Sequence, residues 1–228
     1  MTTLLIATRN GHKVAEIQAI LGARFRLLTL RDFPAAPPVV EDAPTFAGNA
    51  AKKAVDLARW VAAASPPAQH PAFWVLADDS GLEVDALNGA PGVHSARFAA
   101  LDQQTAGAAG NSPDADNNAK LLRLLQAVPP AKRTGRFRCV IALAPVPEHH
   151  RQSASPVCYA DEFAAQTFDG VCEGTIQSAP SGRGGFGYDP LFVPAGFTQS
   201  FAELGEEVKN RLSHRAKALE KVKAFWQR

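Results

Sequence analysis

The first chemically suggestive segment is TRNGHK, which follows the apolar run Leu4–Leu5–Ile6. Thr8, Asn10 and Lys13 offer a hydroxyl, an amide and an ammonium, and all three groups can donate to phosphate oxygens. A loop between a strand and a helix also directs backbone N–H groups at one place, which favours phosphate binding. The segment lacks the GxxxxGK[ST] pattern, so it is not a P-loop. Taken alone, the same residues are more typical of an ordinary capped helix start.

A second segment, ADDSG, places two adjacent carboxylates directly after the apolar run FWVLA. Asp78 and Asp79 are costly at the end of a buried strand unless a cation lies near them. Hard oxygen ligands suit Mg²⁺, which usually takes one or two carboxylates together with substrate phosphates. One carboxylate could instead orient or deprotonate an attacking water. Asp-Asp-Ser-Gly is also good turn chemistry, so a simple turn remains open.

Glu41 and Asp42 precede a long predicted helix. Glu41 could complete a metal site with the Asp78–Asp79 pair. Acidic residues before a helix more commonly only favour its N-terminus by their charge.

The glycine-rich segment SGRGGFGYDP lets the backbone approach a ligand closely. Phe186 and Tyr188 flank Gly187, and an aromatic ring in such a loop can stack on a nucleotide base. The alternative is a turn whose aromatic side chains cover the core.

The segment KNRLSHR supplies Lys209, His214 and Arg215. On one continuous helix Lys209 and His214 would lie about 140° apart and could not meet at one ligand. If Ser213 caps a new helix, the chain turns there and the three side chains could converge. A solvated basic helix face is the simpler interpretation.

The elements that would carry these residues alternate irregularly along the chain. Apolar runs predict strands at Leu4–Ile6 and at residues 73–77, 81–87 and 136–144, with two more between residues 157 and 176. Helical spacing predicts helices at residues 13–21, 45–64, 112–128 and 206–226. This mixture favours an α/β fold with a mixed sheet rather than a doubly wound parallel one. We predict one domain over residues 1–228, with flexible insertions at 65–71 and 102–113.

Composition narrows the function classes. The 228 residues are 46% hydrophobic and carry a formal net charge of only +2, which argues against disorder and against gripping a long nucleic acid. Three cysteines (Cys139, Cys158 and Cys172) show no CxxC spacing. Neither a signal peptide nor an apolar run of about 20 residues is evident. We therefore expect a reduced, cytoplasmic protein with neither a membrane nor a nucleic acid as partner.

In this order, the segments ATRNGHK, ADDSGLEVDALNGAPGVHSARFA, SGRGGFGYDPLF and SHRAKAL resemble the inosine/xanthosine triphosphate pyrophosphatase family. The resemblance runs from Leu4 to about Leu219. It implies Mg²⁺-dependent hydrolysis of ITP, dITP and XTP to the monophosphate and pyrophosphate, which keeps these purine nucleotides out of DNA and RNA. It also implies an elongated mixed β-sheet flanked by helices, two lobes with the active site in the cleft between them, and a homodimer.

At the phosphate end, the resemblance implies that Asp79 is the general base and a metal ligand, with Asp78 beside it and Glu41 as a further ligand. Lys13 would neutralise charge on the triphosphate. The whole loop would hold that triphosphate, namely Thr8, Arg9, Asn10, Gly11, His12 and Lys13. Many family members have glycine where this chain has Arg9.

At the base end, the resemblance implies that Ser80 contacts the substrate and that Phe186 stacks on the base. Lys209 would bind substrate, and His214 with Arg215 would read the purine edge. The pocket would be completed by Gly187, Tyr188 and Asp189.

Three rival functions stay open at this point. A related septum-inhibitor-type pyrophosphatase would act on modified pyrimidine nucleotides, and the SHR and FGYDP segments argue against it. A nucleotide-binding protein without catalysis would not need Asp78, Asp79 and Lys13 together. An RNA-binding module is disfavoured by the small net charge.

Overall fold

The computed structural model describes residues 1–64, 73–102, 110–146 and 164–227. The chain divides into two compact units. The first unit comprises Met1–Asp79, Val140–Phe168 and Leu219–Arg228, and the second comprises Ser80–Cys139 and Asp169–Ala218.

Six strands and five α-helices make up the regular structure of the described residues. The strands are β1 (Thr3–Ile6), β2 (Arg26–Thr29), β3 (Phe73–Val84), β4 (Thr134–Pro145), β5 (Gln166–Ile176) and β6 (Phe192–Pro194). The helices are α1 (Gly11–Leu21), α2 (Phe46–Ala64), α3 (Asp114–Leu124), α4 (Phe201–Leu212) and α5 (His214–Phe225). Short 3₁₀ helices lie at Gly22–Arg24, Asp85–Leu87, Gly92–Arg97, Ala99–Asp102 and Pro130–Lys132.

The strands form one sheet in the order β2-β1-β3-β4-β5-β6. β1 pairs in parallel with both β2 and β3, whereas β5 and β6 pair antiparallel. The predicted α/β fold with a mixed sheet is therefore confirmed. β2 and β6 had not been predicted from the sequence.

In the first unit, all four residues of β1 are buried, as expected for a central parallel strand. α2 buries the predicted stripe of Phe46, Ala50, Leu57 and Val61. Aromatic side chains also pack against one another in this unit. The ring of Trp74 lies edge to face against the ring of Phe225, with 5.9 Å between the ring centroids.

β3 corrects the prediction of two strands separated by a turn. It is one 12-residue strand, and Asp78 and Asp79 lie in its middle. The glycine of ADDSG serves a close approach rather than a turn. A Cβ on Gly81 would overlap Ser95 Oγ and lie 2.5 Å from the carbonyl oxygen of Gly92.

In the second unit, a hydrophobic cluster surrounds Tyr188 and Phe192. α3 confirms the helix predicted from residue 112, but it ends at Leu124 instead of continuing to residue 128. Of the two strands predicted between residues 157 and 176, one is β5, and residues 157–163 lie outside the described residues. The predicted insertion at 65–71 and most of the one at 102–113 also lie outside them.

The C-terminal helical segment is interrupted at Ser213, which confirms the capped alternative over a continuous helix. Ser213 has extended backbone (φ −67°, ψ 164°), and its hydroxyl accepts a hydrogen bond from Ala216 N–H at 3.2 Å. Gly205 adds a non-helical residue within α4 (φ 78°).

Among the described residues, no helix is long and apolar enough to cross a bilayer. Cys139 and Cys172 are both buried, and burial raises the pKa of Cys172 to about 11. Cys158 lies outside the described residues.

Substitution of Gly170 tests how closely the backbones of β5 and α5 approach each other within the second unit. A Cβ there would overlap the backbone oxygen of His214 and lie 2.6 Å from Ala218 N. Because backbone cannot move aside as a flexible side chain can, Gly170→Ala should lower the free energy of unfolding by about 1–3 kcal/mol in urea titrations. Gly110→Ala is the matched control, since no described atom lies within 4 Å of its Cβ position. Equal stability of the two variants would contradict the close approach.

Candidate active site

The first group of predicted site residues lies around β3 in the first unit. The Lys13 ammonium forms an ion pair with the Asp78 carboxylate, whose side chain is fully buried. Lys13 lies in the first turn of α1, so the end of β1 and the start of α1 bring it to the middle of β3. This ion pair offsets part of the desolvation penalty that burial of the Asp78 carboxylate carries.

Asp79 lies next to this pair and is only 7% exposed. Its Oδ2 accepts a hydrogen bond from Asn49 Nδ2 at 3.1 Å. Burial raises the pKa of Asp79 to about 6, against the lowering effects of Lys13, Lys53 and the Asn49 bond. Nearby Glu41 adds to the rise by its like charge. Asp79 is therefore ionised at neutral pH yet basic enough to accept a proton, as a general base requires.

Lys53 is a residue that our sequence analysis missed. Its ammonium donates to the backbone oxygen of Asp78 at 3.0 Å and forms an ion pair with Glu41 Oε1 at 2.9 Å. A signal was present, since Asn49 and Lys53 are one helical turn apart and Lys53 interrupts the apolar stripe of α2. A lysine in such a stripe needs a partner, because burying an unpaired charge is costly.

The N-terminal loop supports both interpretations of TRNGHK. Asn10 caps α1, because its Oδ1 accepts from the N–H groups of His12 and Lys13 at 3.0 and 3.2 Å. Thr8 Oγ1 accepts from Asn10 N–H at 3.2 Å. The Arg9 guanidinium donates to the backbone oxygen of Ala36 at 2.9 Å. Beside the loop lies a cavity of about 540 Å³, lined in part by Thr8, Arg9 and Gly11.

These carboxylates fit a magnesium ion that would share its ligands with a substrate. Asp79 and Glu41 are close enough for their charges to interact, and both offer hard oxygens. The described residues hold no group of three or more potential metal-binding side chains. Two carboxylates with substrate phosphates match the usual Mg²⁺ arrangement. Asp78 directs its carboxylate to Lys13, so its role as a ligand stays a prediction.

The second group of predicted residues surrounds Phe186 in the second unit. The Lys209 ammonium lies 4.3 Å from the centre of the Phe186 ring, and the Arg215 guanidinium lies 5.9 Å from it. Lys209 is 3% exposed and pairs with Asp189 Oδ2 at 2.6 Å. The break at Ser213 thus brings two of the three predicted side chains, Lys209 and Arg215, to the same ring, whereas His214 stacks on Phe137.

The remaining residues of this group have internal partners. Arg215 donates to Ser80 Oγ at 2.9 Å. His214 stacks on the ring of Phe137 at 4.8 Å between centroids. Tyr188 is buried in the core, and its hydroxyl donates to the backbone oxygen of Ser95 at 2.9 Å. The proposed alternative for the loop therefore holds for Tyr188, whose side chain covers the core.

Two glycines give the loop its path. Gly185 and Gly187 both have positive φ angles, 74° and 64°, which other residues rarely adopt. A Cβ on Gly185 would also overlap the carboxylate of Asp189. The backbone can therefore pass Asp189 only with glycine at position 185. The expectation that both groups line one cleft between two lobes stays a prediction.

The raised pKa of Asp79 has a consequence for stability. The pKa of Asp79 is about 6 in the folded protein, whereas its ordinary value, which applies to the unfolded chain, is 3.8. Between about pH 4 and pH 6 the folded state therefore binds a proton at Asp79 that the unfolded chain has already lost. The free energy of unfolding consequently falls as the pH rises through this range. Asp79→Asn removes this penalty. The variant should therefore gain on the order of 2–3 kcal/mol of unfolding free energy at about pH 8, and nothing below about pH 4.

Urea unfolding without added metal at both pH values would measure this gain. Asp42→Asn is the control, because Asp42 is exposed and its pKa is lowered by Lys52. Its replacement should bring no gain at either pH. An Asp79→Asn variant no more stable than the parent at alkaline pH would contradict the penalty.

Comparison with known proteins gives consistent matches over the whole chain. A family model described as the Ham1 family matches residues 4–225, which confirms the resemblance seen in the sequence. A "dITP/XTP pyrophosphatase" from Geobacter sulfurreducens is 45% identical over 224 residues, covering 98% of this chain and 96% of that protein. One from Desulforamulus reducens is 44% identical over 220 residues, covering 96% and 92%. The structure of a HAM1 protein from Coxiella burnetii superposes with a TM-score of 0.75 at 33% identity, covering 100% of this chain and 99% of that one.

Proposed function

The chain is a member of the Ham1 family, and on that premise we propose that it is a nucleoside triphosphate pyrophosphatase that hydrolyses ITP, dITP and XTP. The products are the nucleoside monophosphate and pyrophosphate. The observation that carries the proposal is the buried Asp79 carboxylate, with its raised pKa, beside two lysines. A buried carboxylate whose pKa is raised towards neutrality and that has charged groups close by is typical of a catalytic base.

The reaction is a displacement at the α-phosphorus. The oxygen of a water molecule forms a bond to the α-phosphorus, while the bond between that phosphorus and the oxygen bridging it to the β-phosphorus breaks. Asp79 accepts the proton of the water, and pyrophosphate leaves with the bonding electron pair. Lys13 and Lys53 offset the negative charge that accumulates on the phosphate oxygens, which is the main form of catalysis in phosphoryl transfer.

Asp79 and Glu41 would hold Mg²⁺ together with the substrate phosphates. When bound, the ion would supply additional positive charge at the triphosphate. The residues of the N-terminal loop would donate to the outer phosphates, with Asn10 holding the start of α1 in a helical geometry.

At the base end, Phe186 stacks on the purine, and Arg215 donates to its 6-oxo group. Ser80 holds the guanidinium in place from one side. Adenine presents a donor at this position, so a buried donor of the protein would face another donor. An unpaired buried polar group costs about 1–3 kcal/mol, and a site built around a hydrogen bond can discriminate by several orders of magnitude.

We further propose that the protein acts as a homodimer on free cytoplasmic nucleotides. The net charge of +2 supports small, locally bound substrates over long nucleic acids. Light scattering coupled to size-exclusion chromatography would test the dimer, and a mass near 24.2 kDa would contradict it.

The substrate proposal is tested by product analysis. We expect pyrophosphate release from ITP, dITP and XTP in the presence of Mg²⁺, and at least about 100-fold lower kcat/KM for ATP. Asp79→Asn should lose kcat by about a thousandfold or more, because the proton acceptor is gone, while Asp42→Asn should keep it. Orthophosphate as the first product from ITP would contradict the site of attack. Release of pyrophosphate without any divalent ion would contradict the proposed requirement for Mg²⁺.

Lys53 gives a separate test through pH. Its charge lowers the pKa of Asp79, which burial holds near 6, so Lys53→Met should raise that pKa further. The acidic limb of the kcat/KM–pH profile should therefore lie at a higher pH in the variant than in the parent. Lys52→Met is the matched control, since Lys52 pairs with exposed Asp42 and should leave the profile unchanged. If the acidic limb does not move in Lys53→Met, the charge of Lys53 does not affect the pKa of the general base.

A further inference from the structure

We propose that Asp114 and Asn118 of α3 are positioning residues that fix the direction of the Phe186 ring by binding both backbone groups of Gly187. The inference rests on the proposed function, because it takes Phe186 as the residue that stacks on the base. Neither Asp114 nor Asn118 was identified from the sequence.

The contacts lie within the second unit and involve one face of α3. Gly187 N–H donates to Asp114 Oδ2 at 2.6 Å. Asn118 Nδ2 donates to the backbone oxygen of Gly187 at 3.0 Å. Positions four apart on a helix lie on the same face, so one helix face holds Gly187 at both its amide and its carbonyl. These two bonds restrict both backbone angles of a residue that has positive φ.

Phe186 is held on its other side by a second carboxylate. Its own N–H donates to Asp189 Oδ2 at 2.9 Å. The peptide groups before and after the Phe186 Cα are therefore each bound by a carboxylate, one from Asp189 and one from Asp114. Hydrogen bonds to ionised acceptors are stronger than neutral ones, so this arrangement defines the direction of the Phe186 Cα–Cβ bond.

Asn118 is unusually placed for a residue without a specific role. It is 8% exposed, and its Oδ1 accepts no hydrogen bond from the described residues. Burying an amide with an unsatisfied acceptor is unfavourable, and a leucine of similar size would avoid that cost. The bond from its Nδ2 to Gly187 gives the amide a purpose that an apolar side chain could not serve.

The expected effect is on binding of the base and not on the chemical step. Asp114→Ala frees the Gly187 amide and lets the ring sample other directions, so the KM for ITP should rise about tenfold, as expected for one lost hydrogen bond. The kcat should stay within about twofold, because the variant leaves Asp79 and the lysines of the first unit in place. Asp114→Asn keeps an acceptor oxygen and should recover most of the loss.

Asp116→Ala is the matched control. Asp116 is also an exposed acidic residue in the first turn of α3, so its removal costs the helix a similar charge interaction. It makes no contact with Gly187 among the described hydrogen bonds, and its KM should match that of the parent. A similar KM increase in both variants would overturn the proposal, because the effect would then come from helix stability.

Two further measurements separate positioning from a general structural role. In the Phe186→Ala background, Asp114→Ala should no longer raise the KM, because the ring to be positioned is absent. Amide hydrogen exchange should show faster exchange at Gly187 in Asp114→Ala and in Asn118→Leu, but not in Asp116→Ala. A tenfold KM increase that persists without the Phe186 ring, or unchanged Gly187 exchange in both variants, would overturn the proposal.

Hydrogen exchange also distinguishes this failure from failure of the proposed function. It needs no substrate, so it reports on the hydrogen bond from the Gly187 amide to Asp114 even if the parent protein releases no pyrophosphate from ITP. Absence of that activity would contradict the proposed function. Loss of Gly187 protection in the variants would still support the role of Asp114 and Asn118 in holding the turn.

Discussion

Two carboxylates lie side by side in the interior of a strand, and the local structure of the first unit is organised around that constraint. Asp78 and Asp79 could not stay buried without positive or hydrogen-bonding groups close to them. α1 supplies Lys13 from its first turn, and α2 supplies Lys53 and Asn49 from its buried face. The positions of both helices are therefore coupled to the chemistry of β3 as much as to the apolar core.

The carboxylates of Asp78 and Asp79 have different partners, and this difference gives them different electrostatic environments. Asp78 has a direct ionic partner in Lys13, so its carboxylate is neutralised within the protein. Asp79 has an amide partner and lysines that only partly offset its burial, so its pKa stays raised. Adjacent residues of one strand thus have different electrostatic environments, as is possible because successive side chains point to opposite faces of the sheet.

Much of the fold and the order of the site segments could be predicted from the sequence. Long helices such as α2 carry a strong period, whereas the break at Ser213 was only one of two alternatives that the sequence left open. The turn at ADDSG was wrong because a local turn signal cannot show that lysines elsewhere in the chain will stabilise a continuous strand. The roles of Lys53 and Asn118 depend on neighbours 25 and 69 residues away, and no local pattern reports such contacts.

The interruption at Ser213 has a consequence for how insertions and deletions affect this region. Within an uninterrupted helix, every added or deleted residue turns all later side chains by about 100°. Because α5 starts afresh after Ser213, the direction of Arg215 is set locally by that start and by Ser80. A change of length within α4 would therefore not by itself turn the Arg215 side chain, as it would in a single long helix.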